Sequence, residues 1–390
     1  MRAVLARKGF ADPAAAEQLL AAAGRGALDA AATLVLIDAL AESADPDLAL
    51  TGLARLLECA PDRDELVHAL SRDDELRGRL VAVLGASEAL SRHLARHPAH
   101  WRDLRTGALD QNRRTPEVLR HELLTAVRAN SEDPEPRAVA PGVRALDALR
   151  VAYRRKLLGL AARDLSGAAA VDEVGAELAD LAAAALEAAL AIARAELPAD
   201  AARSRLAVIG LGKCGGAELN YVSDVDVVFV AEPNHEGVDE QSALRTATRL
   251  AAGLMRACST TTGEGALWPV DAALRPEGRN GPLVRTVASH RAYYERWART
   301  WEFQALLKAR VVAGDRDLGQ RYVEAVTPLV WKAATRPDFV ADVQAMRRRV
   351  EQQLPPGEAD RQLKLGPGGL RDVEFAVQLL QLVHGRTDPT

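Results

Sequence analysis

Between Arg205 and Val230 the chain alternates two short apolar runs with a loop dense in glycine, a pattern that leaves few folds open to it. Leu206, Val208, Ile209 and Leu211 make the first run, and Val227 to Val230 the second. Short β-branched runs bounded by glycine read as buried strands. Gly210, Gly212, Gly215 and Gly216 lie between them, followed by Ser223, Asp224 and Asp226. In a strand, residues two apart share a face, so Asp224 and Asp226 present two carboxylates side by side while Val225 turns into the core.

Two anions so close repel, and one tends to stay protonated unless a cation joins them. Hard oxygen ligands suit Mg²⁺ or Mn²⁺, bound through one or two carboxylates plus substrate phosphate. Glycines just upstream let backbone N–H groups approach a phosphate without obstruction. Phosphate cradle plus metal carboxylates is the equipment for phosphoryl or nucleotidyl transfer. Gly210-x-Gly212 followed by Gly215 and Gly216 also nearly fits a dinucleotide-binding fingerprint. That motif needs a long helix next, and here a second strand follows. The ordinary alternatives are a plain Gly-Gly turn and two solvated acids at a strand end.

Gly215-Gly216 followed by Asp224-Val225-Asp226 resembles the signature of the DNA polymerase beta-like nucleotidyltransferase superfamily. The fuller string Gly210-Leu-Gly-Lys213-Cys-Gly-Gly216-Ala-Glu218-Leu-Asn220-Tyr-Val-Ser223-Asp224-Val-Asp226 is more specific. It resembles the glutamine synthetase adenylyltransferase/deadenylylase family, whose bifunctional members carry two such domains in one chain.

The 390 residues are 48% hydrophobic, enough for a soluble multidomain protein with a sizeable core. A net charge of −4 gives no basic field for nucleic acid, and 4% aromatic residues argue against a stacking platform for single strands. Cys59, Cys214 and Cys258 lie far apart, form no metal-type pair and fit a reducing cytosol. No signal peptide is evident, and Glu187 and Arg194 interrupt the most apolar helix, so no membrane span is expected. These features point to a cytoplasmic protein.

Alanine, leucine, arginine and glutamate dominate the first 200 residues. Leu66, Leu70, Leu76, Leu80 and Leu84 recur at helical spacing, as do Val171, Val174, Leu178, Leu181, Ala185 and Ala189. Breaks fall at Ala44-Asp45-Pro46, Ala60-Pro61, the acidic proline-bearing stretch 131–141 and Leu197-Pro198. The segment Leu146 to Leu165 reads as a basic amphipathic helix. His93 and His97 are one helical turn apart with His100 nearby, but no His-Glu-x-x-His motif exists, so solvated helix-end histidines before Pro98 are expected. Ser71-Arg-Asp-Asp-Glu-Leu-Arg-Gly-Arg-Leu80 through His97-Pro98-Ala-His-Trp101 resembles the region preceding the family's first nucleotidyltransferase domain.

After the second strand, Val238 to Cys258 reads as a helix and Thr260 to Gly265 as a turn. A short strand containing Val270 and Asp271 follows. Two-metal transfer uses a third carboxylate on an adjacent strand, and Asp271 alone in this stretch has strand context. Asp271-Ala-Ala-Leu-Arg275-Pro276 resembles the family's Asp-x-x-Leu-Arg-Pro segment, with Glu277 standing where an aromatic residue is more usual. Tyr293 to Arg310 is expected to form one long helix. A phosphate-rich site needs cations, and Lys308, Arg310 and Arg275 are the candidates, against surface ion pairs. Near the end, Phe339, Val343, Met346 and Val350 form a helical stripe with Arg347 to Arg349 on its wet side, ended by Pro355-Pro356-Gly357. Leu363-Lys364-Leu365-Gly366-Pro-Gly-Gly369-Leu-Arg371 is a second glycine loop opening a helix. It resembles the family's Lys-x-Gly-x-Gly-Gly-x-Arg segment.

The expected fold is α+β, a polymerase-beta-like nucleotidyltransferase sheet embedded in a predominantly α-helical chain. A helical leader would span 1–200 and the catalytic domain 201–335. Residues 336–390 would form a helical segment with the glycine loop, opening a truncated C-terminal helical domain. The resemblance implies the deadenylylating half: phosphate attacks the adenylyl-tyrosine bond of modified glutamine synthetase and releases ADP. Asp224, Asp226 and Asp271 would hold metal, Mg²⁺ or Mn²⁺. Gly215, Gly216 and Ser223 would hold phosphate oxygens, with Lys213, Arg275, Lys308, Arg310, Lys364 and Arg371 around them. A PII-type signalling protein is a further implied partner. The alternatives are ATP-dependent adenylylation of the same tyrosine and a non-catalytic helical docking module.

Overall fold

A computed structural model describes residues 1–23, 30–105, 107, 113–198, 200–352, 354–355, 357 and 359–386. Pro356, part of the expected proline break, lies outside them. The α+β expectation holds: the chain is mainly helical and carries a small mixed sheet. It divides into one unit of Met1–Val118 with Arg150–Leu178, and another of Leu119–Leu149 with Ala179–Thr390. The helices Val143–Leu165 and Val171–Glu196 each supply residues to both.

In the first unit, side-chain caps start the helices where the sequence breaks. Asp45 Oδ1 accepts from the Leu48 N–H (2.9 Å), and Pro46 opens the Pro46–Cys59 helix. Asp73 Oδ1 does the same for Leu76 (2.9 Å), and the Ser87 hydroxyl for Leu90 (3.2 Å). Each cap satisfies an otherwise orphaned N–H and contributes about 1 kcal/mol. The leucine stripes then close one core around Leu50, Leu53, Leu66, Leu80, Leu84, Leu94 and Trp101.

His93 is not a solvated helix-end residue, while His97 and His100 are half-buried. His93 is 3% exposed, because the Glu88–Arg96 helix turns it inward beside Leu90 and Leu94. The 3₁₀ turn Pro98–Leu104 then folds back and gathers His97 and His100 beside it. Helical spacing alone could not separate these positions from an exposed helix end.

The second unit is built on strands β1 (Ser204–Gly210), β2 (Val225–Pro233), β3 (Val270–Asp271), β4 (Val284–Arg285) and β5 (Arg310–Gly314), in the order β3-β2-β1-β5 with β4 also paired to β2. β1 and β2 are antiparallel, with Ala207 opposite Val230 and Gly210 opposite Val227. The stretches Leu206–Gly210 of β1 and Val227–Ala231 of β2 are apolar and buried because both faces are covered. Ala207, Ile209, Val228 and Val230 meet Tyr294, Phe303, Leu318 and Tyr322, and the Glu240–Ser259 helix lies against β1 and β2. β3 and β4 run parallel to β2. The 131–141 stretch is a loop pinned to the Val171–Glu196 helix, where the Ala138 N–H donates to Ala191 O and Arg194 to Pro136 O.

Two expectations fail here. Tyr293 to Arg310 is not one helix: Val287–Arg296 and Thr300–Leu306 are separate, and Arg310 opens β5 (Arg310–Gly314). The Glu302 carboxylate accepts the Arg299 N–H (2.9 Å) and closes the start of the second helix, and the β-branched pair Val311-Val312 extends to pair antiparallel with β1. Arg347 is not on a wet face either. It is 8% exposed, since it bonds Asp372 (2.5 Å) and the Gly366 carbonyl (2.9 Å) and so ties the Phe339–Gln352 helix to the second glycine loop.

Candidate active site

The chain places three carboxylates together by register. Asp226 in β2 is the direct ladder partner of Asp271 in β3, and Asp224 stands one residue before β2. One oxygen from each lies within 4.8 Å of the others. Val225 and Val270 alternate inward on the same strands and are buried, which holds the acids outward. Asp271 is further fixed by accepting the Ala273 N–H through Oδ1 (2.7 Å).

The arrangement is electrostatically unstable without a cation. Burial, with the Asp224 and Asp271 charges added, pushes the Asp226 carboxyl up to about 6, and Lys364 and Arg371 only partly oppose this. Three hard oxygen donors with no nitrogen or sulfur among them fit a divalent cation of the Mg²⁺ or Mn²⁺ class. The cost of assembling the acids is what such an ion would remove.

Asp224 and Asp226 line a cleft of about 1100 Å³, with Asp271 grouped beside them. Lys213, Ser223, Asp224, Asp226, Lys308, Lys364 and Arg371 from the sequence reading all line it. Lys213 Nζ donates to Asn220 Oδ1 (3.0 Å), and Asn220 Nδ2 to the Val222 carbonyl (2.9 Å). The Ser223 hydroxyl donates to the Asp224 carbonyl (2.9 Å). Lys308 Nζ is ion-paired with Glu218, and burial lowers its pKa from the usual lysine range. Arg371 pairs with Glu374 (3.0 Å) on the Leu370–His384 helix.

Four of the expected residues act elsewhere. The N–H groups of Gly215 and Gly216 are spent on Leu211 O (2.9 Å) and Gly212 O (3.0 Å) in the one-turn helix Gly212–Gly215. These glycines instead permit close approach: a Cβ on Gly215 would sit 2.0 Å from the Lys308 carbonyl oxygen. Arg310 donates to the carbonyls of Cys214 (2.8 Å) and Gly215 (3.2 Å) and meets Asp180 (3.3 Å), so it staples the glycine turn. Arg275 donates to the Ala272, Arg279 and Gly281 carbonyls and holds the loop after Asp271. Glu277, the departure from the family pattern, turns that loop in a left-handed conformation (φ 65°) and pairs with Arg285.

Gly212 and Glu218 stand in the glycine string without an expected site role, and Trp268 and Glu374 carry none either. Gly212 has φ +51°, and a Cβ there would lie 2.7 Å from Asp226 Oδ2. A glycine two residues past the end of β1 was the available signal. Trp268 walls the cleft next to β3, and Glu374 enters from a helix more than a hundred residues away. Neither has a local signature. Among the described residues no helix is long and apolar enough to cross a membrane.

Comparison with known proteins agrees with this geometry. The family model described as glutamate-ammonia ligase adenylyltransferase matches residues 77–325. A second, described as GlnD PII-uridylyltransferase, matches 344–390. A Streptomyces coelicolor protein named bifunctional glutamine synthetase adenylyltransferase/adenylyl-removing enzyme is 60% identical over 389 residues, covering 98% of this chain and 37% of that protein. Proteins of the same name from Cutibacterium acnes and Mycobacterium tuberculosis H37Rv are 51% identical over 347 residues and 50% over 391. They are matched over 35% and 36% of their own lengths, so the chain spans little more than a third of these relatives. With the matched region enclosing all three carboxylates, the chain belongs to the glutamate-ammonia ligase adenylyltransferase family.

Proposed function

We propose that this chain removes AMP from the adenylylated tyrosine of glutamine synthetase by phosphorolysis, giving ADP and free tyrosine. The observation that carries this is the convergence of Asp224, Asp226 and Asp271 at a cleft lined by Lys213, Lys308, Lys364 and Arg371. Acids to hold a cation and bases to hold phosphate oxygens, in one cleft, suit transfer between two phosphate-bearing partners. The direction is supported by Ser71 to Leu80 and His97 to Trp101, which resemble the region ahead of the first of the family's two catalytic domains. The adenylyl-removing part of the relatives' name is consistent with that direction.

Asp224, Asp226 and Asp271 would hold Mg²⁺ or Mn²⁺. When bound, the ion would neutralise charge on the reacting phosphates. The chain's own residues do the rest. Lys213, Lys308, Lys364 and Arg371, which line the cleft together, offer cations to phosphate oxygens. An oxygen of hydrogenphosphate bonds to the adenylyl phosphorus while its bond to the tyrosyl oxygen breaks. The proton of hydrogenphosphate passes to that leaving oxygen, so charge and atoms balance without a protein base. Trp268 and Pro269 shield one side of the cleft from water, which would compete to give AMP. A PII-type signalling protein would bias this activity from outside the cleft.

Incubation with adenylylated glutamine synthetase, phosphate and Mg²⁺ tests the reading. ADP that appears only when phosphate is present supports it. AMP incorporation into unmodified glutamine synthetase from ATP reverses the direction, and no turnover in either assay leaves a docking module.

A further inference from the structure

Two acids on the Val171–Glu196 helix lie buried in the sheet-bearing unit and take no part in the chemistry above. Asp180 is 3% exposed and Glu187 4%, and charged side chains are seldom so deeply buried without a partner. Seven residues apart, they share one helix face, and each meets β5, the end strand of the sheet. Asp180 Oδ1 lies 3.3 Å from Arg310 Nη1 at the start of that strand, and Glu187 Oε2 accepts the Gly314 N–H (2.7 Å) at its end.

The two acids differ in what lies beyond them. Arg310 Nη2 donates to the Cys214 carbonyl (2.8 Å) and Nε to the Gly215 carbonyl (3.2 Å). These carbonyls close the one-turn helix Gly212–Gly215, and a helix end needs donors from outside. Local preference does not favour this turn. Gly212 has φ +51°, and Ala217 follows at φ 56°, a conformation that a residue with a Cβ adopts only at a cost. The other side of the turn bears on the metal carboxylate. The Leu211 N–H donates to the Asp226 carbonyl (2.9 Å), and Gly212 stands so close that a Cβ on it would lie 2.7 Å from Asp226 Oδ2. The charges show the same layering: burial pushes the Cys214 thiol up to about 11, Arg310 opposes this, and Asp226 and Asp180 each add to it.

We propose that Asp180 is a positioning residue of the cleft: it holds Arg310, and through it the glycine turn, against Asp226, and so sets how tightly the three carboxylates bind a divalent cation. This rests on the reading of that trio as a metal site. The guanidinium fork meets three acceptors at once, one nitrogen to each, so the plane that suits the Cys214 and Gly215 carbonyls is the plane that Asp180 fixes. A neutral group in place of Asp180 leaves the buried end of that fork without its counter-charge, and the turn loses its anchor. Glu187 makes no such link, because its Oε2 meets the strand backbone at Gly314, at the far end of β5 from the turn.

The test is Mn²⁺ binding to the full chain, followed through the electron paramagnetic resonance signal of the free ion, alongside thermal unfolding. Asp180→Asn and Arg310→Lys should each weaken Mn²⁺ binding by about tenfold, the usual loss when the support of a ligand is removed. Both act by one route, so the double variant should bind no more weakly than the worse of the two. Glu187→Gln, equally buried on the same helix face, should lower the Tm and leave Mn²⁺ affinity unchanged. Parent-like Mn²⁺ affinity in folded Asp180→Asn overturns the proposal and leaves the metal reading standing, as does an equal loss of affinity in Glu187→Gln. A parent chain that binds no Mn²⁺ overturns both. Should Asp180→Asn fail to fold, Arg310→Lys decides, since that side chain is 34% exposed, and parent-like affinity there counts against the proposal.

Discussion

Asp226 and Asp271 are direct partners in the parallel ladder between β2 and β3, so the sheet itself sets two carboxylates side by side. Burial and the charges of Asp224 and Asp271 raise the cost of ionising Asp226. The site is therefore assembled against its own repulsion, and four expectations follow from that and from the backbone beneath it.

Replacing Asp226 by Asn removes one charge from the trio. Folded Asp226 binds its proton more tightly than the unfolded chain does, so stability falls as pH rises from the ordinary carboxylate range through about 6. At neutral pH Asp226→Asn should raise stability by about 1–2 kcal/mol after allowance for solvent screening. It should also abolish turnover. Thermal unfolding with and without Mg²⁺ checks this: Mg²⁺ raises the Tm of the parent chain and leaves that of the variant unmoved.

Because the metal needs the ionised carboxylate, affinity should depend on pH. Below about pH 6, Mg²⁺ or Mn²⁺ binding should weaken by up to tenfold per unit, and above it the dependence should flatten. Calorimetric titration across that range measures it. Affinity that stays constant through the acid limb removes Asp226 from the ligand set.

The glycine turn should tolerate no side chain. Gly215→Ala places a Cβ 2.0 Å from the Lys308 carbonyl oxygen, which is backbone and cannot swing aside. A loss of roughly 1–3 kcal/mol is expected. Gly212→Ala combines a left-handed φ of +51° with a contact 2.7 Å from Asp226 Oδ2. It should cost about 1–2 kcal/mol and also weaken metal binding by direct contact, which Gly215→Ala should do only by displacing the turn. Chemical denaturation with metal titration separates the two effects.

Lys308 and Glu218 are ion-paired and both line the cleft. If Lys308 grips phosphate, Lys308→Gln should raise the phosphate KM by about 10–100-fold, the value of a lost charge-assisted bond. Glu218→Gln releases that lysine, and the phosphate KM should stay level or fall. Equal increases in both variants would mean the pair serves structure alone.

The parts of this site that local chemistry dictates were readable in the sequence. Asp224, Asp226 and Asp271 follow from period-two alternation beside apolar strands, and Lys213 and Ser223 lie in the loop between those strands. What depended on distant pairing was not readable. β5 is five residues long and follows a helix after a short turn, so its strand character rests on pairing with β1 about a hundred residues earlier. Arg310 and Arg275 looked like phosphate ligands because a charge has no visible partner in a sequence. Their partners are backbone carbonyls, which no side-chain pattern records. His93 was misjudged for the same reason, since its burial comes from a turn folding back on the helix.

The most direct measurement follows isotopically labelled inorganic phosphate through a single turnover on adenylylated glutamine synthetase, with Mg²⁺ present. Phosphorolysis at this carboxylate site puts the label into the β-phosphate of ADP, and Asp226→Asn abolishes that product. Unlabelled AMP as the released nucleotide, or labelled ADP formed equally well by Asp226→Asn, would contradict it.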